Sequence, residues 1–196
     1  VISNNLVDKL VNKNINCSKL YLEKIINEKN TIIDNINKSD VIILISPIYE
    51  NSAPSTVLKF FETINENKNK LTIKNRKMFV ITNSGFPEIE ASKSLIKTCS
   101  LFARDMNFKW LGGVVIAPGT LIDGGELGKT YKKLISALNL IAEDIYNDKE
   151  ISKEVFKLTS KPFISPIIYR FAGRIIQNKP IKNIGKDNYY AKPLEI

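Results

Sequence analysis

A chain of 196 residues, 43% hydrophobic and 25% charged, has the make-up of a globular protein and is long enough for one domain with a real core. It contains no histidine, which excludes Ser-His-Asp and Cys-His nucleophilic chemistry and argues against a transition-metal site. The net charge of +9 is unevenly placed, since Ile151 to Ile196 carry nine Lys or Arg against three acids, a net +6.

No apolar run approaches the roughly 18 residues that cross a bilayer, and no signal peptide opens the chain. The two cysteines, Cys17 and Cys99, form neither a CxxC pair nor a cluster, so free thiols and a cytoplasmic location are expected.

In chain order, helix and strand patterns alternate, as in a parallel sheet with crossover helices. Ser3 to Leu10 reads as a helix with Leu6, Leu10 and Val11 on one face. Ile15 to Leu22 reads as a short strand, and Asn30 to Asn37 as a helix burying Ile32, Ile33 and Ile36. Val41 to Ser46 is a continuous β-branched run, the pattern of a strand covered on both faces. Ser55 to Ile64 returns to helical period through Val57, Leu58, Phe61 and Ile64.

"KMFVITNSG" (Lys77 to Gly85) predicts a second buried strand running into a polar loop. Glu88 to Asn107 predicts a long amphipathic helix, and "KWLGGVVIAPGT" (Lys109 to Thr120) a third strand ending in a glycine turn. Tyr131 to Tyr146 predicts a helix after "DGGELGK". The alternation opens on a helix at Val1, so a strand and its βα loop, about 15 residues, are expected upstream. Residues 1–147 are expected to form the main domain and 148–196 a basic extension, with Phe163, Ile164, Ile167, Ile168, Phe171 and Ile175 on one side of a helical segment.

Three polar loops, "SPIYENSAP", "TNSGFPE" and "APGTLIDGG", follow the three apolar strands and would meet along the carboxyl edge of the sheet, where α/β proteins bind ligands. "SDVIILISPIYENSAPSTVLKFFE" (Ser39 to Glu62) resembles the corresponding segment of the flavodoxin-like NAD(P)H-dependent FMN reductases: an apolar strand, a P-x-Y loop with small residues and proline, then a helix containing LK-F. "VITNSGFPE" resembles the next loop of that family, and the resemblance spans roughly Ser3 to Ile145.

The resemblance implies a flavodoxin-like doubly wound parallel sheet of order 2-1-3-4-5. It also implies an FMN cofactor, NAD(P)H as reductant, and a quinone, nitro or azo compound, or other small molecule as electron acceptor. Pro47, Ile48, Tyr49 and Asn51 match the first loop contacting the flavin ring, and Asn83, Ser84, Gly85 and Phe86 the second. Ser3 stands where the last hydroxyl of the phosphate loop would fall, at a helix N-terminus that favours an anion. The rest of that loop belongs to the segment expected upstream. No side chain is assigned a catalytic role, because the cofactor carries the chemistry.

Plainer roles remain open for these residues. Tyr49 can be a loop tyrosine packed on a helix end, Asn51 and Pro54 can serve turn and capping geometry, and Gly85 can be a positive-φ turn residue. Asp123, Glu126, Glu88 and Glu90 read as solvated or capping carboxylates and Trp110 as a core or interface residue. "APGTLIDGGELGK" lacks nucleotide-motif spacing.

An electron-transfer flavodoxin is the first rival, disfavoured by the positive charge because such carriers dock through acidic surfaces. A flavin-free binding domain of the same fold is the second. An iron–sulfur flavoprotein would need four clustered cysteines. The tail has no nucleic-acid-binding signature; a homodimer contact is expected there, ahead of membrane-surface contact.

Overall fold

The computed structural model describes residues 1–72, 75–120, 122, 127–128, 131–171 and 173–174. The chain divides into two compact units, 1–163 and 164–196. In the first, the β-branched runs form the sheet: Val41–Pro47 (β1), Lys77–Asn83 (β2) and Lys109–Ile116 (β3), all parallel and in the order β1-β2-β3. Around it run α1 (Ile2–Val11), α2 (Leu22–Ile25), α3 (Lys29–Asn37), α4 (Ser55–Glu66), α5 (Lys93–Asp105), α6 (Lys132–Tyr146) and α7 (Lys153–Thr159). Among the described residues the sheet has these three strands, and no helix is long and apolar enough to cross a membrane.

Alternation of side chains along each strand divides the core in two. Phe79 and Ile81 of β2 pack with Leu6 and Leu10 of α1, Leu134, Leu138 and Ile141 of α6, and Val155 of α7. Met78 and Val80 face the other way, onto Ile32 and Ile36 of α3, Phe60, Phe61 and Ile64 of α4, and Leu95, Cys99 and Phe102 of α5. In this second layer Phe61 and Phe102 stack with ring centroids 4.0 Å apart. Burial pushes the Cys99 thiol up to about 12, which keeps it protonated and unreactive.

Two expectations change. Ile15 to Leu22 is not a strand: Ile15 and Cys17 are half-buried while Asn16 and Ser18 are exposed, so the alternation is there, but among the described residues no strand forms a ladder with it. Extended chain becomes a strand only through such a ladder. The helix expected from Glu88 begins later, with a 3₁₀ turn at Glu90–Ser92 ahead of α5. The apolar core-facing stripe starts at Leu95, and the one buried residue just ahead of it, Ser92, is polar, so little apolar packing holds the chain upstream to helical period.

Among the described residues β2 is the interior strand, and β1 and β3 are the edges. A bulge sets Met78 opposite Trp110 but Phe79 opposite Gly112, leaving Leu111 as the extra residue. Gly112 has φ +114, and a Cβ there would lie 2.7 Å from the Phe156 ring of α7. The glycine thus permits both the bulge and the close approach of α7. Phe163 closes this edge further by donating its N–H to the Ala117 carbonyl at 2.8 Å.

The second unit contains helical residues at 166–171 and 173–174. Ile167, Ile168 and Phe171 are 78%, 61% and 67% exposed within it, with Arg170 on the same helix. Ile175, expected to continue this segment, lies outside the described residues, as do Asp123 to Glu126 and Lys129 of "DGGELGK".

Candidate functional site

The carboxyl ends of the three strands are tied together by backbone hydrogen bonds. Ile48 donates to the Asn83 carbonyl at 3.1 Å and Ser84 to the Ile116 carbonyl at 2.9 Å; Gly119 returns a bond to the Ser84 carbonyl at 2.7 Å. The Thr120 hydroxyl donates to the Gly85 carbonyl at 2.7 Å, and the Ala117–Pro118 peptide is cis. The loops after β1, β2 and β3 therefore form one ledge.

The first loop has a turn type that its composition hides. Tyr49 and Ser52 exchange both backbone hydrogen bonds, at 3.1 and 2.9 Å, around Glu50 at φ 47 and Asn51 at φ 61. Two positive φ values between such a pair define a type I′ turn, a geometry that suits Asn or Gly. Asn51 fits it. Glu50 does not, and a left-handed glutamate costs about 1 kcal/mol or more. The Ser94 hydroxyl of α5 holds the turn from behind through the Asn51 carbonyl.

Together the loops border an open cleft of about 830 Å³, within the range of small-molecule sites. Among the described residues it is lined by Pro47, Ile48, Tyr49, Glu50 and Asn51 of the first loop, by Asn83, Ser84, Gly85, Phe86 and Glu88 of the second, and by Ala91, Gly119 and Thr120. All the residues expected in the ring-contacting loops meet here. Ser3 does not: it sits half-buried in the first turn of α1 and is not among the lining residues.

The cleft has the attributes a flat heteroaromatic ring requires. Tyr49 and Phe86 are 64% and 65% exposed at its sides, which leaves their rings available to a ligand. Gly119 is buried, and the Asn83 carboxamide packs where a Cβ would otherwise stand, so only glycine allows this side chain to lie against the third loop. The Asn83 Oδ1 is buried without a hydrogen-bond partner. A buried acceptor left alone costs about 1–3 kcal/mol, so this oxygen is an open acceptor beside the cleft. The described lining holds no Lys or Arg for a phosphate, so these residues fit the ring of a flavin and leave its phosphate to another part of the protein.

Five described lining residues escape the sequence reading: Glu50, Glu88, Ala91, Gly119 and Thr120. For Gly119 and Thr120 the signal is there, since "APGT" ends the third strand as the other loops end theirs. Glu50 and Glu88 carry no signal beyond their loops, because a carboxylate in a polar loop is ordinarily solvated.

No family model matches the chain, and no curated protein does. Among solved structures it is similar to the crystal structure of an NADPH-quinone reductase from P. pentosaceus, at 16% identity and a TM-score of 0.42, over 65% of this chain and 77% of that one. A likeness at that level says nothing about chemistry.

Proposed function

We propose that the chain is an FMN-dependent NAD(P)H oxidoreductase that passes electrons to a quinone, a nitro or azo compound, or another small acceptor. The observation that carries the reading is the convergence of three strand-end loops on one cleft flanked by two exposed aromatics, at the edge where α/β sheets bind ligands. In this reading Tyr49 and Phe86 flank the ring and exclude water. The Asn51 and Asn83 carboxamides meet its polar edge, and the Gly85 and Gly119 backbone borders it. The phosphate goes to the first turn of α1 at Ser3, where amides have no intrahelical acceptor.

Bound flavin supplies the hydride chemistry between nicotinamide and acceptor, so no side chain need act as an acid or base. The chain's own work is to bind, orient and shield the ring. A homodimer in which the exposed Ile167, Ile168 and Phe171 meet the partner belongs to the same reading, and the mass by light scattering before and after removal of residues 164–196 checks it.

The enzymatic test is a stopped-flow experiment on protein saturated with FMN under anaerobic conditions. NADH or NADPH should bleach the flavin band faster than free FMN is reduced, and a quinone should restore it. Bound FMN reduced no faster than free FMN by either nicotinamide would leave an electron carrier. Failure to bind FMN at all would leave a flavin-free binding domain.

A further inference from the structure

The cleft has a charge opposite to that of the chain. Within a protein of net charge +9, the described residues that line it include two carboxylates, Glu50 and Glu88, and no Lys or Arg. Neither glutamate is in an ion pair among the described residues, although neighbouring acids are: Glu90 is paired with Lys93. Glu50 is moreover fixed by the type I′ turn in a backbone conformation that glutamate disfavours, with Ser94 bracing the turn. Its carboxylate therefore stands at the cleft on a short, doubly hydrogen-bonded loop. Glu88 stands on the facing loop, beyond Phe86.

We infer that Glu50 and Glu88 are specificity-determining residues that make the cleft select planar rings that are neutral or cationic and disfavour rings that themselves carry a negative charge, a phosphate held away from the lining being outside their reach. The inference rests on the proposed binding of a flat ring in this cleft and adds the charge class of what may enter beside or in place of that ring. A unit charge about 7 Å from an exposed carboxylate in water changes affinity by about threefold, so two carboxylates favour a monocation by about tenfold and oppose a monoanion similarly. Added salt shrinks both effects, because the glutamates are exposed and the Debye length falls to about 3 Å at 1 M.

The acceptors favoured by this rim are uncharged quinones and nitroaromatics, and cationic dyes. Sulfonated or carboxylated ones are disfavoured. The rim gives no positive group to the extra phosphate of NADPH, so NADH is the reductant it opposes less.

Three tricyclic probes of similar outline test this by fluorescence titration of the full chain: lumiflavin (neutral), proflavine (cationic) and acridine-9-carboxylate (anionic). At low ionic strength proflavine should bind at least about tenfold more tightly than the carboxylate. In Glu50→Gln/Glu88→Gln the two should come within about twofold, with lumiflavin affinity unchanged as the sign that the cleft is intact. A proflavine preference that survives in the double variant, or is absent from the wild type, overturns the inference while lumiflavin binding leaves the ring-binding reading standing. Loss of lumiflavin binding alone, with a glutamate-dependent proflavine preference, overturns the flavin reading and keeps the inference. If none of the three binds, both fall.

Discussion

At the β3 edge of the sheet, Gly112 at φ +114 lets the Phe156 ring of α7 lie against the strand, and Phe163 bonds to the backbone just beyond it. The β1 edge is finished differently. Lys77 donates to the Asp40 carbonyl and Ile48 to the Asn83 carbonyl, so the even-numbered residues of β1 direct their backbone groups toward β2. By the geometry of parallel pairing, the amides of Val41, Ile43 and Ile45 point outward, and they have no hydrogen-bond partner among the described residues.

The contrast runs against composition. β3, interrupted by two glycines, is the covered edge. The unbroken β-branched run of β1 has no ladder partner on its outer side among the described residues, where Val41, Ile42, Ile43 and Ile45 are half-buried; the strand expected upstream would pair there. An apolar run tells how many faces of a strand are covered by side chains. It does not tell whether both of its backbone edges are paired.

Three experiments break or sharpen this comparison. The largest effect is expected at the covered edge. Gly112→Val adds a β-branched side chain at a positive φ and drives it into Phe156, so it should destabilise the fold by about 3 kcal/mol, read from urea unfolding. A cost under about 1 kcal/mol would mean that α7 is not held against the strand as described.

Amide hydrogen exchange tests the open edge. Ile42, Leu44 and Ser46 should exchange at least about a hundredfold more slowly than Val41, Ile43 and Ile45. Equal protection along β1 would reveal a partner on that edge. The smallest effect is expected for Val41→Lys, whose aliphatic stem can cover the apolar surface that valine leaves. It should cost less than about 1 kcal/mol and lower edge-to-edge self-association, measured by light scattering at high protein concentration.

Much of the architecture was legible because its signals are local. Continuous apolar runs at Val41 to Ile45 and Met78 to Ile81 mark strands, helical periods at α4 and α6 mark their covering layers, and prolines and glycines mark the loops between. What could not be read depends on neighbours. Ile15 to Leu22 has strand-like alternation and no ladder, and the "GG" of β3 does not disclose which glycine takes φ +114. Of the cleft, Pro47 to Asn51 and Asn83 to Phe86 stand out as polar loops after apolar strands, whereas the type I′ turn does not, since glutamate is a poor choice for it. The placement of Glu50 and Glu88 on one cleft is a product of the fold and of no motif.

The central claim is that a flavin ring binds among the three loops, and amide chemical-shift mapping during titration with FMN tests it most directly. Shifts should concentrate at Ile48 to Asn51, Asn83 to Phe86, and Gly119 and Thr120, with a second set at the first turn of α1 from the phosphate. The amides of α3, which contributes no residue to the described lining, should stay in place. Shifts absent from the loops, or spread evenly over the basic surface in proportion to charge, would contradict the account.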